Sequence, residues 1–381
     1  MKFVLAPDSF KESMTAKEAA LAMEKGIRKV FPDADCRIVP MADGGEGTVE
    51  SLVRLTKGSM IQTEVLGPLG KKIIANYGVT GEGDTAVIEM ATASGLELLK
   101  PEERNPLLTT TYGTGQLIKH ALDMGAKRFL IGIGGSATND GGVGMLQALG
   151  VSFKDHKGEE LSFGGGTLQQ LATIDISGLD PRISKITIDV ACDVTNPLVG
   201  KNGASAIFGP QKGASPEMVD VLDQNLAHYA NIIKQELGID IVDTEGSGAA
   251  GGLGAGLLAF LNARLKKGVD LVIEYTGFEE IVKDADYVFT GEGSIDDQTL
   301  YGKTAYGVAT VAQKYDVPVI AFAGRIGDGV QPLYDHGFTA IVGILKEATS
   351  LKAALEGGEH NLAYAAENIC RVLRINEGKN S

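Results

Sequence analysis

No tryptophan occurs in the sequence, and histidine and cysteine are scarce, at five and three of 381 residues. Cys36, Cys192 and Cys370 are widely separated and odd in number, so no disulfide framework is expected. No CxxC and no HxxxH spacing occurs, which removes the common zinc-site patterns. Charge is dispersed without long runs of one sign, so there is no acidic tail. Basic residues are in deficit: Lys+Arg is 35 and Asp+Glu is 49, for a net charge of −14. That disfavours nucleic acid and anionic membrane as partners, because both need a basic face. The uncharged stretch Gly246–Leu261 is too short to span a bilayer and holds six glycines. The N-terminus is apolar over Phe3–Ala6 and then meets Pro7 and Asp8, which reads as a first strand and not as a signal peptide. A soluble, cytoplasmic protein is expected.

What the sequence has in excess is glycine. It accounts for 51 of 381 residues, nearly double the usual ~7%. There is no G-x-y period, proline is only 12, and 44% of residues are hydrophobic. Collagen and Pro/Gly-rich disorder are thereby excluded. The glycines serve either close backbone packing or the wrapping of backbone around a ligand.

The pattern along the chain is that of an α/β protein with two domains. Lys2–Ala6 is strand-like, and Thr15-Ala16-Lys17-Glu18 is a capping box opening a helix with Ala19, Met23, Ile27 and Val30 on one face. Cys36–Met41 is a second strand, followed by a helix over Val49–Leu55. Strand–loop–helix alternation argues for a parallel sheet. Met60–Leu66, Lys72–Val79 and Thr85–Met90 then follow with short turns and no helix between them, which predicts antiparallel strands. Alternation returns with a helix over Gly113–Met124, a strand over Arg128–Gly134 and a glycine-broken helix over Asp140–Leu149. Ile186–Cys192 is a strand, and Ser215-Pro216-Glu217 caps a long helix carrying Met218, Leu222, Leu226, Tyr229 and Ile233. The C-terminal third alternates again: strand Tyr287–Thr290, helix Thr304–Lys314, strands Val317–Ala323 and Phe338–Ile344, and a closing helix over Asn361–Leu373. One domain is therefore expected from both chain ends, residues 1–64 and 282–381, with residues 65–281 inserted as a mixed α/β domain. No fixed-period repeat occurs, although Gly141-Gly142-Val143-Gly144 and Gly251-Gly252-Leu253-Gly254 are alike.

The glycines cluster with charged and hydroxyl residues. Asp8-Ser9-Phe10-Lys11 follows the first strand, at the edge where parallel sheets bind ligands, and Lys11 can reach an anion. Asp43-Gly44-Gly45-Glu46-Gly47 follows the second; its two carboxylates suit a hard cation or a hydrogen-bonded ligand, against the plain reading of a turn. Gly132-Ile133-Gly134-Gly135-Ser136-Ala137 fits G-x-G-x-x-A, with Asp155 downstream, but Asn139-Asp140-Gly141-Gly142 interrupts the helix that a dinucleotide fingerprint needs. Asp193, at a strand end, is a better chemical candidate than Cys192, which has no neighbouring histidine or cation in sequence. Phe208–Ala214 reads as a rigid turn displaying Lys212. Gly246–Gly256 carries no titratable group, so helix packing is its default role, with a phosphate nest as the alternative. Thr290–Thr304 is read as a strand-end loop with Glu292, Asp296, Asp297 and Lys303; its Gly302-Lys303-Thr304 fails the P-loop spacing.

These loops offer Asp, Glu, Lys, Ser, Thr and backbone N–H, with no histidine and one cysteine. That disfavours Ser-His-Asp hydrolysis and thiol chemistry. It suits phosphoryl transfer, which needs anion cradles, a cation held by carboxylates, a lysine and a proton acceptor. The competing readings are an NAD-dependent oxidoreductase of a small hydroxy acid, resting on Gly132–Ala137 and Asp155, and a non-catalytic organic-acid-binding protein.

Taken in order, Ala6–Lys11, Met41–Thr48, Gly134–Gly142, Cys192–Leu198, Phe208–Ala214, Gly248–Gly256 and Thr290–Lys303 resemble the bacterial glycerate kinase family of the first type. The resemblance runs along essentially the whole chain; only Glu12 departs, where glycine is expected. It implies a flavodoxin-like domain from both chain ends and an inserted domain described as restriction-enzyme-like, with the active-site cleft between them. It implies ATP-dependent phosphorylation of D-glycerate, giving 2-phosphoglycerate, with Mg²⁺. On that basis Asp193 accepts the hydroxyl proton, and Lys11 neutralises either the transferring phosphate or the glycerate carboxylate. Asp8, Ser9, Asn196, Lys212 and Lys303 complete the substrate set. Gly134, Gly135, Ser136, Asn139, Asp140, Gly141 and Gly142 line the ATP phosphates, and Asp43, Glu46 and Glu292 hold Mg²⁺ directly or through water. The partners are then D-glycerate and ATP, with self-association left open.

Overall fold

The structure is a computed structural model that describes residues 1–41 and 48–377. Its strands, in chain order, are β1 (Lys2–Leu5), β2 (Asp35–Ile38), β3 (Ser59–Leu66), β4 (Lys72–Val79), β5 (Thr85–Glu89), β6 (Arg128–Gly132), β7 (Ser152–Asp155), β8 (Leu171–Asp175), β9 (Thr187–Ala191), β10 (Arg264–Lys266), β11 (Tyr287–Ile295), β12 (Val319–Ile326) and β13 (Phe338–Gly343). The chain divides into two compact units, one of Met1–Asp43 with Val269–Ser381 and the other of Gly44–Gly268.

The first unit is built on a five-stranded sheet in the order β13-β12-β11-β1-β2, parallel throughout. Numbered within the unit, this is the doubly wound order 2-1-3-4-5, whose connections reverse direction between β1 and β11. Hydrophobic burial fixes the layers. Phe3, Leu5, Phe289, Ile320 and Phe322 point into one core with Met23 and Ile27 of helix Ala16–Arg28 and Leu362 and Ala366 of helix Gly358–Glu377. The capping box read from sequence closes the first helix: Glu18 N–H donates to Thr15 Oγ1 at 3.2 Å, and Thr15 N–H donates to Glu18 at 2.8 Å. Beyond Thr290 the sequence reads as a loop, but β11 continues to Ile295. Gly291, Glu292, Ser294 and Ile295 pair with Phe322, Ala323, Arg325 and Ile326 of β12. The ladder overrides the loop-like composition of Gly291–Ser294, and its effect is to fix Glu292 on the sheet.

The second unit has a mixed six-stranded sheet in the order β10-β9-β6-β5-β4-β3 and a separate antiparallel pair, β7-β8. As the short turns predict, β3-β4 and β4-β5 are antiparallel; β5, β6, β9 and β10 are parallel. Helix Pro216–Leu237 starts at Ser215, whose hydroxyl accepts from Met218 N–H, and buries Leu222, Leu226, Tyr229 and Ile233. The two glycine motifs that are alike in sequence meet in space. Gly141 N–H donates to Gly251 O at 3.1 Å, and a Cβ at Gly251 would lie 2.0 Å from Thr138 O. Gly251 and Gly252 also hold φ of 70° and 85°, where a side chain is strained. Close backbone packing is thus the reason for glycine in both motifs.

Candidate functional site

In the first unit the polar groups gather where β1 and β11 end, at the reversal of strand order, the place where open α/β sheets bind ligands. The chain leaving β1 stays paired to β11: Ala6 N–H donates to Phe289 O and Asp8 N–H to Gly291 O, both at 2.8 Å. The Asp8 carboxylate accepts from Ser9 N–H at 2.6 Å and from the hydroxyl of Thr304, the first residue of helix Thr304–Gln313, at 2.5 Å. Lys303, just before that helix, places its amine 3.3 Å from Asp296 and 3.8 Å from Glu292 Oε2. Glu292 Oε1 is buried with no hydrogen-bond partner. Burial pushes the Glu292 carboxyl up to about 7; Asp8 and Asp296 push the same way, and Lys303 and Lys11 oppose them. Lys11 is exposed, in the tight turn closed by Phe10 N–H to Met14 O. Glu12, where the family pattern leads to glycine, holds φ of 62°. That is left-handed backbone, which costs a side chain ~1 kcal/mol or more. Asp43 and Glu46 lie outside the described residues.

In the second unit the loop after β6 separates into an exposed part and a buried part. Gly134 and Gly135 are exposed, and a Cβ at Gly134 would meet nothing within 4 Å. Ser136, Thr138, Asn139 and Asp140 are buried. The Asp140 carboxylate accepts from Thr111 N–H at 2.8 Å, Thr111 Oγ1 at 2.9 Å, Gly142 N–H at 3.2 Å and Gly144 N–H at 3.3 Å. Burial raises its pKa, and these donors oppose the rise. Asn139 donates to Ser205 Oγ at 3.1 Å. Gly141 faces Tyr229, and Gly142 faces Leu253. Lys212 corrects the expectation of a displayed side chain: it is 1% exposed, and its amine donates to Ser136 Oγ at 2.6 Å and Thr138 O at 2.7 Å.

Asp193 is exposed at the end of β9, and its Oδ1 accepts at 3.0 Å from the N–H of Gly268, the first residue of helix Gly268–Thr276. Asn196 donates to Asn202 O at 2.8 Å. The Cys192 thiol is pushed up by burial and donates to Val194 O, so it is poorly suited to act as a nucleophile. One cluster escapes sequence reading. Asp189 of β9 is 0% exposed and takes Arg264 of β10 through both oxygens, at 2.8 and 2.9 Å, with Lys266 at 3.5 Å. The available signal was a lone carboxylate inside the apolar run Ile188-Asp189-Val190, which requires a buried partner.

Asp155 belongs to a different construction from a dinucleotide site. It lies in the β7-β8 pair, not in the sheet that holds β6, and its carboxylate is spent on the N–H groups of Lys157 and Glu159. Among the described residues no helix is long and apolar enough to cross a membrane.

Fold and polar equipment together define a two-unit α/β protein with carboxylates, lysines and exposed glycine backbone in the loops that follow its strands. The glycerate kinase family profile matches residues 3–374, and the chain belongs to that family. It is similar to the glycerate kinase of Bacillus subtilis strain 168, at 55% identity over 375 residues and 98% of each chain. It is also similar to the glycerate 2-kinase of Escherichia coli K12, at 54% identity over 375 residues and 98% of each chain. A crystal structure provisionally assigned to glycerate kinase 2 of Salmonella typhimurium LT2 superposes with a TM-score of 0.89, at 50% identity, covering 99% of both chains.

Proposed function

We propose that the protein transfers the γ-phosphoryl group of ATP to the 2-hydroxyl of D-glycerate, releasing ADP and 2-phospho-D-glycerate. The observation that carries this reading is the 54% identity to a glycerate 2-kinase over 98% of both chains. A glycerate oxygen–phosphorus bond forms, the bond from the γ-phosphorus to the bridging oxygen breaks, and the hydroxyl proton passes to the Asp193 carboxylate. Lys11 and Lys303 supply positive charge to the phosphates or the glycerate carboxylate. The exposed Gly134–Gly135 backbone receives the nucleotide phosphates, while the buried Asn139–Gly142 segment frames that turn. Asp8 and Ser9 orient glycerate beside Lys11, and Asn196 shapes the loop after Asp193.

Among the described residues, Glu292 offers a carboxylate suited to a magnesium ion. Glu292 Oε1 is a buried oxygen lacking a partner, and among the described residues no cluster of three or more His, Cys, Asp or Glu forms a complete cage. Mg²⁺ commonly takes one or two carboxylates and completes its shell with phosphate oxygens and water. Glu292, with Asp43 and Glu46, would hold it, and bound there it would neutralise phosphate charge. The three free thiols support a reducing, cytoplasmic setting.

The direct test is ³¹P NMR of the protein with ATP, Mg²⁺ and D-glycerate. A new phosphomonoester resonance matching 2-phosphoglycerate is expected. A 3-phosphoglycerate signal would overturn the regiochemistry, and unconsumed ATP would overturn the activity. Lys11→Ala is expected to lower kcat/KM about tenfold or more with an unchanged melting temperature, since the side chain is exposed. Unchanged kcat/KM would remove Lys11 from the site.

A further inference from the structure

Lys212 occupies an unusual place for a lysine. Lysine is almost never fully buried unless paired, yet Lys212 is 1% exposed in the turn Pro210–Lys212. Among the described residues its amine has two hydrogen-bond partners, Ser136 Oγ and Thr138 O, both neutral oxygens. Asp140 is the carboxylate whose charge reaches it, and Asp140 is already held by donors from Thr111, Gly142 and Gly144. A Cβ at the following Gly213 would sit 2.4 Å from Arg104 O, so the turn is clamped on its other side too. The residues Lys212 grips come directly after the exposed Gly134–Gly135 turn. It therefore sits beneath that turn without itself reaching solvent.

We propose that Lys212 is a positioning residue for the phosphates of the nucleotide: through Ser136 and Thr138 it fixes the Gly134–Gly135 turn, and it sets a buried positive charge behind that turn. This rests on reading the turn as the phosphate site. The grip fixes where backbone N–H groups point, and the charge draws an anion toward them at long reach, because screening is weak inside the protein. The charge is adjustable. Burial pushes the Lys212 amine down to about 7, with Asp140 opposing. The other ionisable groups in this region are Arg104 beside Gly213 and the Tyr229 phenol, which burial raises well above its ordinary value with Asp140 adding to the rise. As pH rises through about 7, Lys212 gives up its proton and the attraction for phosphate falls.

The test is kcat and KM for ATP across pH, for the unaltered protein, Lys212→Met and Lys212→Gln, with melting temperatures alongside. Below about pH 6.5 Lys212→Met is expected to raise KM for ATP about tenfold, with kcat within about threefold. Above about pH 8.5 the KM ratio is expected to shrink, because the wild-type lysine is then neutral and only its hydrogen-bond grip still separates the two proteins. A ratio of KM values that stays constant with pH would show a merely structural role and overturn the proposal, as would an unchanged KM at low pH. If neither variant folds, the wild type decides: its KM for ATP must rise above pH 7, whereas the last ionisation of ATP would push it the other way. Absence of phosphoglycerate from the unaltered protein would sink the functional reading; normal turnover with a pH-flat KM ratio would sink the role of Lys212 alone.

Discussion

Asp193→Asn is expected to lower kcat by about 10²-fold or more while leaving ATP binding and the melting temperature nearly intact. The substitution separates two roles that share one side chain. Asp193 accepts the N–H of Gly268 at 3.0 Å, at the start of helix Gly268–Thr276. Asparagine caps a helix about as well as aspartate, so the structural contact survives. What is lost is basicity, because an amide oxygen does not take up a proton at neutral pH. A cap alone would register as at most ~1 kcal/mol of stability, with turnover preserved. The two measurements are kcat by a coupled ADP assay and the thermal midpoint. Turnover within about threefold of wild type, whatever the midpoint, would assign the proton to another group.

Glu292→Gln is expected to cost about 10²-fold or more in turnover and yet to stabilise the protein. The sign follows from linkage. The Glu292 carboxyl sits at about 7 in the folded state, against 4.5 for an ordinary glutamate, chiefly through burial. The folded protein therefore binds more protons than the unfolded chain between those values. Below the lower value the group has no net effect; through and above the upper one it destabilises fully. Glutamine keeps the shape without the charge. It should raise unfolding free energy at pH 8 by up to about 3 kcal/mol, and the gain should vanish near pH 4. Paired chemical-denaturation curves at these two pH values check it. A protein that is both less active and less stable at pH 8 would mean that Glu292 is a packing residue. A carboxylate held where its charge is costly is instead a mark of function.

Much of the fold was readable in the sequence because local rules and global packing agree. Thr15 and Glu18 form the capping box their spacing dictates, and Ser215 caps the helix that buries Leu222, Leu226, Tyr229 and Ile233. The strands over Ser59–Glu89, with short turns between them, pair antiparallel as expected. What was hidden is hidden for physical reasons. Gly291–Ser294 reads as loop because glycine and serine have low strand propensity, yet β12 supplies a complete ladder. Lys212 reads as solvated because lysine nearly always is; only a partner loop far upstream, at Ser136–Thr138, buries it. The glycines after Gly134 look uniform in sequence, but Gly141 and Gly142 pack on Tyr229 and Leu253 and Gly134 stands open. Composition does not distinguish these cases, since each depends on what a distant segment brings near. The position of Asp8 and Lys11 after β1 was legible as a sheet-edge site; that Glu292 and Lys303 would join them needed the placement of β11 beside β1.

The pairing of β1 with β11 also orders the protein's birth. Phe3 aligns with Tyr287, so during synthesis β1 lacks this neighbour until the whole segment between them has been made. The segment Gly44–Gly268 carries the eight strands β3 to β10, which among the described residues pair only with one another, so its sheets can close while β1 waits. The groups around Asp8 therefore come together after that sheet can close. A truncated or stalled chain would hold the glycine turn and its buried lysine, but not the carboxylate–lysine cluster.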